Sequence, residues 1–196
     1  MDICIHDTAI EGVKIIAPEC FEDERGFFFE SYHRKVWARR GIELEFVQDN
    51  HSRSRRGVVR GFHFQDATAP QFRVVRCTAG EGFDVVVDLR VGSPTFGRWL
   101  GVALSAANRQ QLLIPPEFAH GFAVLSEIAE IQYKVSGHHV PAAERSLAWD
   151  DPEVAVEWPV AEPILSQRDR TQGMSLRQYL EDPCFHYAPA EEVHAS

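Results

Sequence analysis

Two histidines stand in strand-like segments at positions where a purely structural strand would more often carry an aliphatic side chain. His63 lies in Arg60-Gly61-Phe62-His63-Phe64-Gln65, and His120 in Pro115-Pro116-Glu117-Phe118-Ala119-His120-Gly121-Phe122. A titratable ring among phenylalanines and glycines can take up or release a proton near neutral pH, and it can equally be a hydrogen-bonded core histidine. Residue type and spacing leave both readings open. A metal site built on His-x-His with a nearby Glu and a distant third histidine is not expected, because His63 is followed by Phe64 and Gln65. The adjacent pair His138-His139 does not restore it, since neighbours on a strand point to opposite faces.

Arginines form the second group with chemical potential. Arg53, Arg55, Arg56, Arg60, Arg73 and Arg76 all fall between residues 50 and 80. Arg53 to Arg56 reads as a solvated turn. Arg60 and Arg73 each border an apolar run, where a guanidinium lining a pocket would bind phosphate or carboxylate in bidentate fashion. Lys and Arg total 20 against 29 Asp and Glu, a net charge of −9. A general nucleic-acid binder usually carries the opposite sign, so the expected ligand is a small anion and no nucleic acid.

The elements that must hold these residues are mainly strands. Short β-branched and aromatic runs recur at Gly26 to Phe29, Val58-Val59, Val74 to Cys77, Phe83 to Leu89, Trp99 to Leu104, Gln111 to Ile114 and Ala129 to Val135, with Gly, Pro and Ser clusters between them. The fold class is all-β: a sandwich, jelly roll or barrel. Asp84, Val86 and Asp88 share one face by period two; if that face lines a barrel, the interior is wet. Short helices are expected over 31–40, stopped by Gly41, and over 175–181, before Pro183. Residues 1–180 read as one domain, and 181–196, rich in Ala, Glu, Pro and His, as a tail that frays.

The four cysteines, Cys4, Cys20, Cys77 and Cys184, are scattered without a CxxC pair and read as reduced thiols. The start, MDICIHDTAIEGVKII, shows no basic stretch followed by an apolar one, and the chain has no uncharged run of 18 apolar residues. A cytoplasmic chain with no membrane contact is expected.

Several segments, in order, carry a resemblance. Asp23-Glu24-Arg25-Gly26-Phe27-Phe28-Phe29-Glu30-Ser31, Phe46-Val47-Gln48-Asp49-Asn50-His51-Ser52, Arg60 to Gln65, Ser93-Pro94-Thr95-Phe96-Gly97 and Ile114 to Phe122 resemble the dTDP-4-dehydrorhamnose 3,5-epimerase family. The likeness runs from about residue 7 to residue 170. It implies a cupin-type jelly-roll β-barrel with a few short peripheral helices, a homodimer, and no metal or organic cofactor. It also implies a dTDP-4-keto-6-deoxyhexose substrate that loses a hydrogen at C3, C5 or both and regains it on the other face. Single-carbon epimerases of antibiotic deoxysugar branches and a catalytically silent sugar-nucleotide binder are the alternatives.

Such a reaction needs a base beside the carbon, charge stabilisation at the ketone oxygen and an acid on the opposite face. The resemblance assigns these tasks to His63 as base, Asp169 as its carboxylate partner, Tyr133 as acid and Arg73 near the oxygen. Without the resemblance, Asp169 reads as a surface turn residue. Around the ligand it implies Arg25, Phe28, Glu30, Gln48, Asn50, Arg60, His120, His139, Glu144 and Arg168, some reaching over from a partner subunit. Two positions depart from the family pattern: Arg73 stands where a lysine is usual, and His139 where a tyrosine often stacks on thymine.

Overall fold

The apolar and alternating runs become thirteen strands in this computed structural model, which describes residues 1–189. Six form one antiparallel sheet in the order β1 (Ile3–Asp7), β2 (Lys14–Pro18), β10 (Gln111–Ile114), β7 (Arg73–Ala79), β12 (Ile128–Val135), β5 (Gln48–Arg55). Five form a second, in the order β13 (Glu144–Ser146), β6 (Val59–Gln65), β11 (Phe118–Val124), β8 (Glu81–Asp88), β9 (Trp99–Ser105). The two sheets face each other as a jelly-roll barrel. A separate hairpin, β3 (Phe21–Asp23) and β4 (Gly26–Phe28), projects from it.

Burial explains the sequence pattern strand by strand. Between the sheets, Val75, Leu112 and Ile131 pack against Val86, Leu104 and Phe122. The outer face of the second sheet is also covered: Phe62, Phe64, Val85 and Val87 pack under Leu147, Leu176, Tyr179 and Phe185. A sheet buried on both sides needs apolar residues on both, so β8 and β11 read as near-continuous runs and not as clean alternation. On β6, Phe62 and Phe64 take the outer face, leaving His63 and Gln65 to point inward.

Strand β5 is polar on both faces. Gln48, Asn50 and Ser52 face inward, while Asp49, His51, Arg53 and Arg55 are exposed. Arg53 and Arg55 are therefore strand residues, and the turn expected there is confined to the end at Arg56 and Gly57. The wet interior expected around Asp84 and Asp88 is not found. Val86 lies in the dry core and both carboxylates are buried with partners: Asp88 accepts from Arg90, Ser93 and Thr95, and Asp84 meets His120.

Helices are few and short. The first expected helix is present as α1 (Arg34–Arg39), whose Val36 and Trp37 cover the outer face of the larger sheet. The second is α3 (Leu176–Tyr179), started by a Ser175/Gln178 capping box. Between them lies α2 (Gln167–Thr171), too short to leave a periodic signature. Part of the stretch expected to fray is packed instead, because it brings an apolar anchor: Phe185 enters the core and His186 bridges to Val91. Residues 190–196 of that expected tail lie outside the described residues. Among the described residues, no helix is long and apolar enough to cross a membrane.

Candidate active site

Strands β6 and β11 carry the two histidines side by side, with His63 and His120 paired across the ladder. Their flanking glycines make this approach possible. A Cβ on Gly61 would stand 2.5 Å from the Gly121 Cα, and one on Gly121 2.8 Å from the Arg60 carbonyl oxygen. Gly61 also has φ +130°, a conformation that side chains strongly disfavour.

Each histidine is held by a carboxylate through Nε2. His63 Nε2 lies 2.7 Å from Asp169 Oδ1, and His120 Nε2 lies 2.9 Å from Asp84 Oδ1. Asp169 is thus a buried member of α2 and not a surface turn residue. Burial pushes its carboxyl up, but hydrogen bonds and charge from His63, with the Ser166 hydroxyl and the Gly61 amide, outweigh this and hold it below the usual carboxylate range. An ionised Asp169 accepts a hydrogen bond from a protonated Nε2, which leaves Nδ1 as the ring nitrogen without a carboxylate partner. The two dyads differ in access: the His63 side chain is 30% exposed and that of His120 only 8%.

The opposite wall comes from the larger sheet. Tyr133 on β12 and Arg73 on β7 line the same cavity, of about 410 Å³, as His63 and His120. The Arg73 guanidinium donates from Nη1 to the backbone carbonyl of His63 at 2.8 Å, tying the two walls together. Burial pulls its pKa down against the nearby carboxylates of Glu144 and Asp84, yet an arginine keeps its proton.

Polar side chains surround these four. Gln48 and Asn50 line the cavity from β5 and are joined by a 3.0 Å hydrogen bond. Arg60 also lines it, with Nε donating to Ser54 Oγ at 3.1 Å. At the mouth, Glu144 accepts from Arg168 at 3.0 Å and lies 3.2 Å from His139 Nε2. Burial raises the Glu144 carboxyl, and these two partners more than reverse it. His138 and His139 sit in a loop after β12 and not on a strand; of the two, His139 lines the cavity.

Four expected ligand residues do not line this cavity, and of these Arg168 meets it through its pair with Glu144. Arg25 is on the β3–β4 turn, exposed and paired with Asp23, and neither Phe28 nor Glu30 lines this chain's cavity. In the other direction, Asp84, Ser52, Gln65 and Gln71 belong to the site or its support and were not assigned to it from sequence; Asp84 was read only as part of a wet face. Asp84 had a signal, a carboxylate set in a valine-rich strand, but its partner is 36 residues away.

The profile of the dTDP-4-dehydrorhamnose 3,5-epimerase family matches residues 7–177. The chain belongs to this family. It is 52% identical over 163 residues to the dTDP-4-dehydrorhamnose 3,5-epimerase of Shigella flexneri, covering 83% of this chain and 90% of that protein. Among solved structures, the dTDP-6-deoxy-D-glucose-3,5-epimerase of Legionella pneumophila in complex with dTDP-4-keto-L-rhamnose superposes with a TM-score of 0.89 at 44% identity, covering 95% of this chain and 99% of that one. A 4-keto-6-deoxy sugar epimerase from the novobiocin biosynthetic gene cluster of Streptomyces spheroides also gives 0.89, at 40% identity, covering 95% and 94%. The cupin-type jelly roll is thus shared with sugar epimerases, and the chain is an isomerase of that class.

Proposed function

We propose that the chain epimerises dTDP-4-keto-6-deoxyglucose at C3, C5 or both, using the residues that line its cavity. His63 Nδ1 takes the proton from the carbon beside the ketone, and the electron pair of that C–H bond moves into the C4 oxygen to give an enolate. Asp169 steadies the imidazolium so formed. Arg73 supplies the positive charge that the enolate oxygen needs. The enolate then collapses to the ketone as Tyr133 delivers its hydroxyl proton to the opposite face of the carbon. Solvent restores the proton to Tyr133 and removes the one on His63, so the reaction is a net isomerisation.

The observation that carries this reading is the opposition of His63 on one sheet and Tyr133 on the other across a single cavity. Inversion requires proton removal and return on opposite faces, and facing sheets supply base and acid from opposite sides. The lower exposure of His120 favours His63 as the base. In this reading Gln48, Asn50, Arg60, His120, His139, Glu144 and Arg168 hold the nucleotide and sugar.

The active unit in this reading is a homodimer in which the β3–β4 hairpin brings Arg25, Phe28 and Glu30 to the partner's cavity. Support comes from the hairpin's exposed Phe21, Phe27 and Phe28, a large apolar patch for a lone subunit. Sedimentation velocity tests this; full activity from a monomer would exclude it.

Incubation with dTDP-4-keto-6-deoxyglucose in deuterium oxide tests the chemistry. Deuterium at C3 and C5 means a double epimerase, and deuterium at one carbon a single-carbon enzyme. No incorporation, with dTDP still bound, would overturn the proposed reaction.

A further inference from the structure

We infer that Gln65 is a substrate-binding residue whose carboxamide donates from Nε2 to an uncharged oxygen, a hydroxyl or the ketone, on the hexose ring. This rests on the sugar-nucleotide reading above. Gln65 follows His63 by two residues on β6, so both side chains face the cavity, about 7 Å apart along the strand. A hexose with its reacting carbon at His63 spans that interval.

The carboxamide is locked in one orientation. Its Oε1 accepts the Val140 backbone N–H at 2.8 Å, a contact that only the carbonyl end can make, so Nε2 is turned away from that loop. Gln65 is 3% exposed, and its Nε2 is buried with no hydrogen-bond partner among the described residues. A buried amide donor left unpaired is rare and costs stability, which points to a partner that arrives with the ligand. The neighbouring carboxamides differ: Gln71 gives its Nε2 to the His138 carbonyl at 2.6 Å, and Gln48 gives its own to Asn50. Arg60 offers a charged fork in the same cavity, the better match to phosphate. A neutral amide on the cavity wall, on the same strand face as the base, suits the sugar.

Gln65 lies two residues after His63 on the same face of β6. A glutamine there cannot compete for the proton that His63 takes, yet it keeps a donor on the same face.

Two variants test the inference. Gln65→Glu keeps an acceptor for Val140 and removes the donor; Gln65→Met removes both at similar volume. For each, kcat/KM with dTDP-4-keto-6-deoxyglucose and the Kd for dTDP alone, by calorimetry, are measured beside the wild type. A folded variant should lose about tenfold or more in kcat/KM while its dTDP affinity stays within about twofold, since dTDP has no hexose to contact. If Gln65→Met fails to fold, Gln65→Glu decides. Unchanged kcat/KM would show that Nε2 has no partner on the substrate, and a matching loss of dTDP affinity would move the contact to the nucleotide; either result overturns the inference. A wild type that turns over the substrate isolates such a failure to Gln65, whereas a wild type that binds no dTDP removes both this inference and the functional reading.

Discussion

The cavity between the sheets and the β3–β4 hairpin both carry residues that the family resemblance assigns to the ligand, and they are built in opposite ways. In the cavity, His63, His120, Arg73 and Glu144 each have a protein partner that fixes orientation, and the strands beneath them are packed on both faces. In the hairpin, Phe28 is 64% exposed, and Arg25 is paired with Asp23 in its own turn. What anchors the hairpin to the barrel is Arg109, its guanidinium 4.6 Å from the Phe27 ring centre and paired with Glu22. In the reading proposed above, chemistry that depends on sub-ångström placement sits where the core defines it, and recognition that awaits a partner subunit sits where the core does not reach.

Substitutions should separate the two regions, beginning with the base. His63→Ala is expected to lower kcat by about a thousandfold or more while dTDP binding, read by calorimetry, stays near wild type. Tyr133→Phe comes next, with about a hundredfold loss of epimerisation but continued exchange of the substrate α-proton with solvent deuterium on the His63 face. Exchange lost together with epimerisation would place the defect at the base and undo the division of labour between the walls.

In the hairpin, Arg25→Ala should act on binding. KM rises by about tenfold, kcat changes little and thermal stability is unaltered, because the Asp23 pair it breaks is solvent-accessible and confined to one turn. A kcat loss as large as that of Tyr133→Phe would mean that the hairpin shares in the chemistry.

The smallest effect is in acid stability. Asp169 titrates below its unfolded value, so its contribution is present above about pH 4 and is lost as the pH falls through the lowered native pKa. Asp169→Asn should therefore reduce the urea midpoint near neutral pH and flatten its decline in acid. A wild-type curve that stays flat from pH 5 downward would contradict the ionised dyad.

How much of this was legible in the sequence follows from how local each feature is. The strands, the absence of long helices and the two histidine segments are written in runs of a few residues. Asp169 was not, because its helix is five residues long and its partner lies 106 residues away. Asp84 and Asp88 suggested a wet face, and only the tertiary pairing with His120, Arg90, Ser93 and Thr95 makes a dry one possible. Phe185 looked like part of a frayed end until the pocket under the second sheet gave it neighbours. The opposition of His63 and Tyr133 comes from strand order, which no short segment encodes.

Strand β5 has a consequence for folding fidelity. Most strands are held in register by their apolar side, since a slip of one residue would turn that side to water. This one has no such side to lose. Its alignment depends on the ladder to β12, on the Lys134–Asp49 and His51–Glu130 pairs, and on the flanking Val47 and Arg56 amides bonded to Val135 and Glu127. Displaced by one residue, the strand would still be soluble and still hydrogen-bonded, but Asp49, His51 and Arg53 would face the ligand in place of Gln48, Asn50 and Ser52. Misfolding there would produce a compact, inactive molecule instead of an aggregate, so assays of solubility would miss it and ligand binding would reveal it.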